Sequence, residues 1–146
     1  MLTYAIQKTG YDYERRDPQG VTDFDGFMQA IDTFPWAEQL LEWDKEQDGP
    51  LPSVILQNAK AERELWVSVL GRDLGNSFQL NVVWMRPQKG LFGFGKEKKV
   101  QEVVTVDVEQ RQDVNQLCQL FCDGYYLELG QEVTRLVERM RWREKR

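Results

Sequence analysis

Hydrophobic and polar positions change period several times along this chain, and each change marks an element. Leu2, Tyr4 and Ile6 alternate with polar neighbours, the period of a half-buried strand. From Gly10 to Gly20 the chain is polar and broken by Pro18, which predicts a loop. Phe24, Phe27, Met28, Ile31 and Phe34 then follow at i, i+3, i+4, i+7 and i+10, the stripe of an amphipathic helix. Thr22 is its expected N-cap, with Asp25 completing a capping-box-like pair and Asp23 favourable beside the positive helix end. Pro35 must end or kink that helix, yet it suits the first turn of a second one capped by Thr33. Trp36, Leu40 and Trp43 continue the stripe, so the spacing predicts a bent helix or two short helices ending near Asp48.

Gly49-Pro50-Leu51-Pro52 is the clearest breaker in the chain, and strand signals dominate after it. Ser53 to Asn58 is short and β-rich. Glu64 to Leu70 sets Leu65, Val67 and Val69 against Trp66, Ser68 and Leu70. Turn chemistry from Gly71 to Ser77 precedes Phe78, Leu80, Val82 and Trp84 at a period of two. A Gly- and Lys-rich connection from Arg86 to Lys99 leads to a further strand from Val100 to Glu109. Links this short favour antiparallel pairing, because a parallel crossover takes about a dozen residues or more. Val114, Leu117, Cys118 and Phe121 then share a helical face that stops at Gly124, and Val133, Leu136, Val137 and Met140 mark a final helix. The expectation is a single α+β domain over residues 1–146, an antiparallel sheet of about five strands with helices packed on one face.

Charge adds the most distinctive feature. From Asp12 to Asp48 there are eleven Asp and Glu against three Lys and Arg, a local net charge of −8, whereas the whole chain carries −5. The predicted helical face with Asp25, Asp32, Glu38, Glu42, Asp44 and Glu46 suits a basic protein partner and repels nucleic acid. Trp36 and Trp43 lie within the same stretch and are candidate interface anchors wherever they are not core.

Chemistry is constrained by what is missing from the composition. With no histidine, the Ser-His-Asp and Cys-His nucleophile systems and His-ligated metals are excluded. Cys118 and Cys122 are the only cysteines, too few to complete a zinc site, and four apart on a helix they fit buried small hydrophobes. No metal and no cofactor is expected. Paired carboxylates such as Asp107 and Glu109 leave a carboxylate-dependent enzyme as the third-ranked reading. No apolar run reaches the roughly 18–20 residues that span a bilayer. The N-terminus lacks a basic then apolar leader, which favours a cytoplasmic location and no membrane partner.

Gly90 to Lys96 has the G-x-x-x-x-G-K spacing of a phosphate-binding loop. Glu97 stands where that loop needs Ser or Thr, and a β-branched strand follows where it needs a helix. A hairpin loop exposing Leu91, Phe92 and Phe94 is the better reading, with Phe92 and Phe94 as candidate contacts. Asp23-Phe24-Asp25-Gly26 matches only a fragment of a calcium loop, because Phe27 and Met28 stand where further oxygen ligands are needed.

The segments Asp23–Gln39, Glu64–Gly71, Lys89–Val100 and Asp113–Gly124 together resemble a group of small, largely uncharacterised bacterial proteins. The layout of a strand-rich middle followed by a helix ending in Phe and Gly, with the acidity, is also similar to immunity proteins of bacterial polymorphic toxin systems. That resemblance implies a non-enzymatic cytoplasmic inhibitor that binds and neutralises a toxin. No individual contact residue is carried over, since such proteins diverge at the toxin face. The runner-up expectation is a structural module, a homodimer joined through an edge strand or through Phe92 and Phe94.

Overall fold

A computed structural model describes residues 1–46, 49–70, 76–88 and 98–144. Six strands and four helices follow in the order β1 (Thr3–Gln7), β2 (Asp17–Val21), α1 (Phe24–Thr33), α2 (Trp36–Glu46), β3 (Ser53–Asn58), β4 (Arg63–Val69), β5 (Asn76–Gln88), β6 (Lys98–Gln110), α3 (Arg111–Cys122) and α4 (Tyr126–Glu144). The strands form one sheet in the order β2-β1-β3-β4-β5-β6, and every neighbouring pair is antiparallel. The α+β class and the antiparallel sheet are as the sequence predicts.

The sheet has one strand more than the period-two signals announce. The extra strand, β2, lies at the end of the stretch expected to be loop. Its residues are DPQGV, without apolar alternation and with Pro18 inside, a composition that only an edge strand tolerates. Pairing with β1 is irregular, shifting register between Tyr4 and Ala5. Strands β5 and β6 also extend beyond their expected ends. Both strands run for 13 residues, and their ladder continues to Gln88 opposite Lys98, past the last β4 partner at Trp84.

Register sorts side chains onto two faces. Tyr4, Leu56, Leu65, Val82 and Val104 are opposite one another across five strands, and Ile6, Val54, Val67, Leu80 and Val106 form the next such row. Most of these are buried beneath Phe27 and Ile31 of α1, Leu117, Cys118 and Phe121 of α3, and Leu129, Val133 and Leu136 of α4. Each fully buried Leu, Ile or Phe contributes about 1.5–3 kcal/mol.

The other face is not simply solvated. Ile55 and Val83 are buried there, and the Ser53 and Ser68 hydroxyls bond each other at 2.7 Å. The β1–β2 connection is pinned onto this face. Buried Gln7 donates through Nε2 to the Tyr13 and Arg15 carbonyls, while Arg16 pairs with Glu64 and sits 5.0 Å from the Trp66 ring centre. Glu64 also accepts from Gln57 at 3.0 Å and from the Trp66 indole at 2.9 Å, so this carboxylate ties three elements together.

Candidate functional site

The helical N-cap of α1 is Asp23, one residue later than the sequence suggests. Its Oδ1 accepts from the Gly26 N–H at 2.8 Å, while the Thr22 hydroxyl turns to the Asp23 carbonyl. A Cβ at Gly26 would lie 2.6 Å from the Thr22 Oγ1, so glycine fits this first turn where a larger residue would crowd it. α1 ends at Thr33 and α2 begins at Trp36, so Pro35 separates two short helices. The Phe34 N–H still reaches the Ala30 carbonyl, and the Gln39 N–H reaches that of Pro35. α2 is held to the end of β1 by its own Gln39, whose Oε1 accepts from the Thr9 N–H at 2.7 Å and whose carbonyl accepts from the Thr9 hydroxyl at 2.9 Å.

These helices present their acidic side to solvent. Asp25 and Asp32 are exposed on α1, as are Glu38, Glu42 and Asp44 on α2. On α2 the exposed positions Glu38, Leu41, Glu42 and Lys45 fall at i, i+3, i+4 and i+7, so they share one stripe. Leu41 is 45% exposed within that stripe, an apolar contact flanked by carboxylates.

Three expected site residues differ from their sequence reading. Trp36 is only 4% exposed and belongs to the core. Its indole N–H donates at 2.7 Å to the Ile31 carbonyl, one of the acceptors that the end of α1 leaves without a helical partner, and its ring lies 4.3 Å from that of Phe34. It is therefore no surface anchor. Trp43 is half-buried, with its indole nitrogen sealed from solvent and without a hydrogen-bond partner among the described residues. Asp32 ion-pairs with Arg111 at the start of α3, at 2.9 Å, so part of its charge is answered within the fold. Phe92 and Phe94 lie outside the described residues. Sequence reasoning missed Leu41, because an isolated leucine on a polar helix face carries no periodic signal of its own.

The reactive side chains are quiet. Burial pushes the Cys118 thiol far up and that of half-buried Cys122 to about 11, so both are protonated at neutral pH. A hydrogen bond to Asp17 likewise raises the Tyr11 phenol. Among the described residues no group of three or more Cys, Asp or Glu could hold a metal ion. Two hollows hold carboxylate pairs. Glu62 and Glu64 border one of about 380 Å³, and they are paired with Lys99 and Arg16 respectively. Asp107 and Glu109 border one of about 260 Å³ beside Arg139. Among the described residues no helix is long and apolar enough to cross a membrane. No protein-family model, no curated protein and no solved structure matches this chain.

Proposed function

We propose that this protein is a non-enzymatic binding domain that uses the exposed side of α2, with neighbouring acidic groups of α1, to engage a basic protein partner. In its most concrete form it is an immunity-type inhibitor, with the acidic stripe covering a cationic cleft on a toxin. The observation that carries the reading is Leu41, exposed between Glu38 and Glu42 on one helical stripe. An apolar contact inside a charged rim is the arrangement that protein interfaces favour. Carboxylates around it speed encounter and select partners of opposite charge, and desolvation of the leucine adds affinity.

The test compares capture of binding partners from native lysate by the wild type and by Glu38→Lys/Glu42→Lys, at low and high salt, with mass spectrometry of what is retained. Asp32 is left intact in this pair, because its reversal would place a cation against Arg111. A basic protein retained by the wild type, shed at high salt and lost in the variant, with thermal stability unchanged, supports the reading. Equal retention by both proteins removes the acidic stripe from it.

A second reading has its own support. The sheet ends in β6, a 13-residue edge strand with Val103 exposed, which suits pairing with a second copy. Concentration-dependent mass by light scattering, abolished by Val103→Lys, is its expected signature.

A further inference from the structure

A hollow larger than the two that hold carboxylate pairs lies on another part of the molecule from the acidic helices. It is a groove of about 680 Å³ between the N-terminal half of α4 and the helix-facing side of β5 and β6. Small-molecule sites generally occupy roughly 300–1,000 Å³ and combine apolar walls with a few placed polar groups. Val82, Trp84 and Val104 form the floor here, with Leu127 and Val133 of α4 along the wall.

Two features keep the groove open. Gly130 lies inside α4, where glycine is unfavourable, and a Cβ built there meets nothing within 4 Å. Its missing side chain is therefore an opening in the wall. Leu127, one turn away, is 72% exposed at the rim.

Among the described residues, Arg63 at the start of β4 is the one charged residue lining this groove. Its guanidinium lies 4.4 Å from the ring centre of Tyr126, and that ring is fixed by the Asn58 amide, which donates to the Tyr126 hydroxyl at 2.7 Å. A cation–π contact positions a guanidinium without consuming its N–H donors. Among the described residues the Arg63 side chain has no hydrogen bond or ion pair, so its planar fork is available to an oxyanion.

We infer that this groove binds a small amphipathic monocarboxylate, with its apolar body over Val82, Trp84 and Val104 and its carboxylate on Arg63. A single cation suits a single negative charge, whereas a phosphate dianion would find no second base in the lining among the described residues.

The experiment titrates octanoate, 1-octanol and octyl phosphate into the protein and follows the indole N–H resonance of Trp84, assigned with Trp84→Phe. Octanoate should shift that resonance saturably and bind more tightly than octanol. Arg63→Met should weaken octanoate by about tenfold or more and leave octanol unchanged, with Arg63→Lys intermediate, since a hydrogen bond to a charged group carries that weight. Gly130→Leu should abolish both by filling the opening; if that variant does not fold, Thr134→Phe at the same wall takes its place. Several results would overturn the inference: no saturable shift with octanoate, octanol or octyl phosphate binding more tightly, or indifference to Arg63→Met. Dimer formation that buries Trp84 would do so as well, assigning the groove to a second copy.

Discussion

The α1–α2 pair and the N-terminal half of α4 cover the same face of the sheet, but they do so in opposite ways. The first pair uses its aromatics inward: Phe27, Phe34 and Trp36 are buried, and outside them lie mainly carboxylates. The start of α4 seats Leu129 but leaves Leu127 in solvent and an apolar gap at Gly130. A helix that fills its seat offers a partner only its outer surface, while a helix with a groove along its edge also offers a recess. We propose binding at both regions, of a charged macromolecule at the first and of a small apolar acid at the second.

Variants can break this contrast in decreasing order of effect. Truncating Trp36 to Ala should cost about 3–5 kcal/mol by chemical denaturation, since it empties a packed site and frees the Ile31 carbonyl. A loss near zero would mean that the ring is not part of the packing. Removing the cap with Asp23→Ala should cost about 1 kcal/mol, read in the same way, because the Gly26 N–H loses its acceptor. In α4 the sign reverses. Gly130→Ala should raise stability by about 0.5–1 kcal/mol, since alanine restricts the unfolded chain and its methyl group meets open space. Destabilisation by that alanine would show that α4 is as closely packed as α1.

The smallest effect is pH-linked. A hydrogen bond from Arg135 holds the Glu132 carboxyl below its ordinary value of 4.5. The folded state therefore binds this proton less readily than the unfolded chain, so the stabilisation is present above 4.5 and lost as pH falls through the lower folded value. Glu132→Gln should melt slightly earlier than the wild type at neutral pH, and the two curves should converge in strong acid. A difference that persists in acid would indicate packing instead of charge.

Much of this fold was legible because its elements are periodic. The α1 stripe at Phe24, Phe27, Met28 and Ile31 and the alternation in β4 to β6 are local patterns that burial alone dictates. Strand β2 is not legible, since an edge strand exposed along nearly its whole length needs no apolar alternation and can hold Pro18. The acidic face is visible as a count of charges, but whether Trp36 faces inward or outward is not. A tryptophan at helical spacing reads alike whether it faces a partner or caps the preceding helix, and only the 2.7 Å bond to Ile31 decides. The groove leaves no local trace, because it joins Arg63 of β4 to Tyr126 of α4, far apart in sequence, and depends on a side chain that Gly130 lacks.

Strand order carries a consequence for how the chain assembles. β3, β4, β5 and β6 are sequence neighbours as well as sheet neighbours, so this meander closes through local hairpins. β1 instead pairs with β3 across the whole of β2, α1 and α2, setting Tyr4 against Leu56. Closing so long a loop is entropically costly until nearby contacts already exist. The meander is thus the natural nucleus, and the N-terminal strands with their acidic helices join it late. Pulse-labelled hydrogen exchange during refolding should protect Leu65 and Val82 amides before those of β1. On a ribosome the order of synthesis runs the other way, so this acidic stretch emerges before the meander and waits for the sheet it will complete.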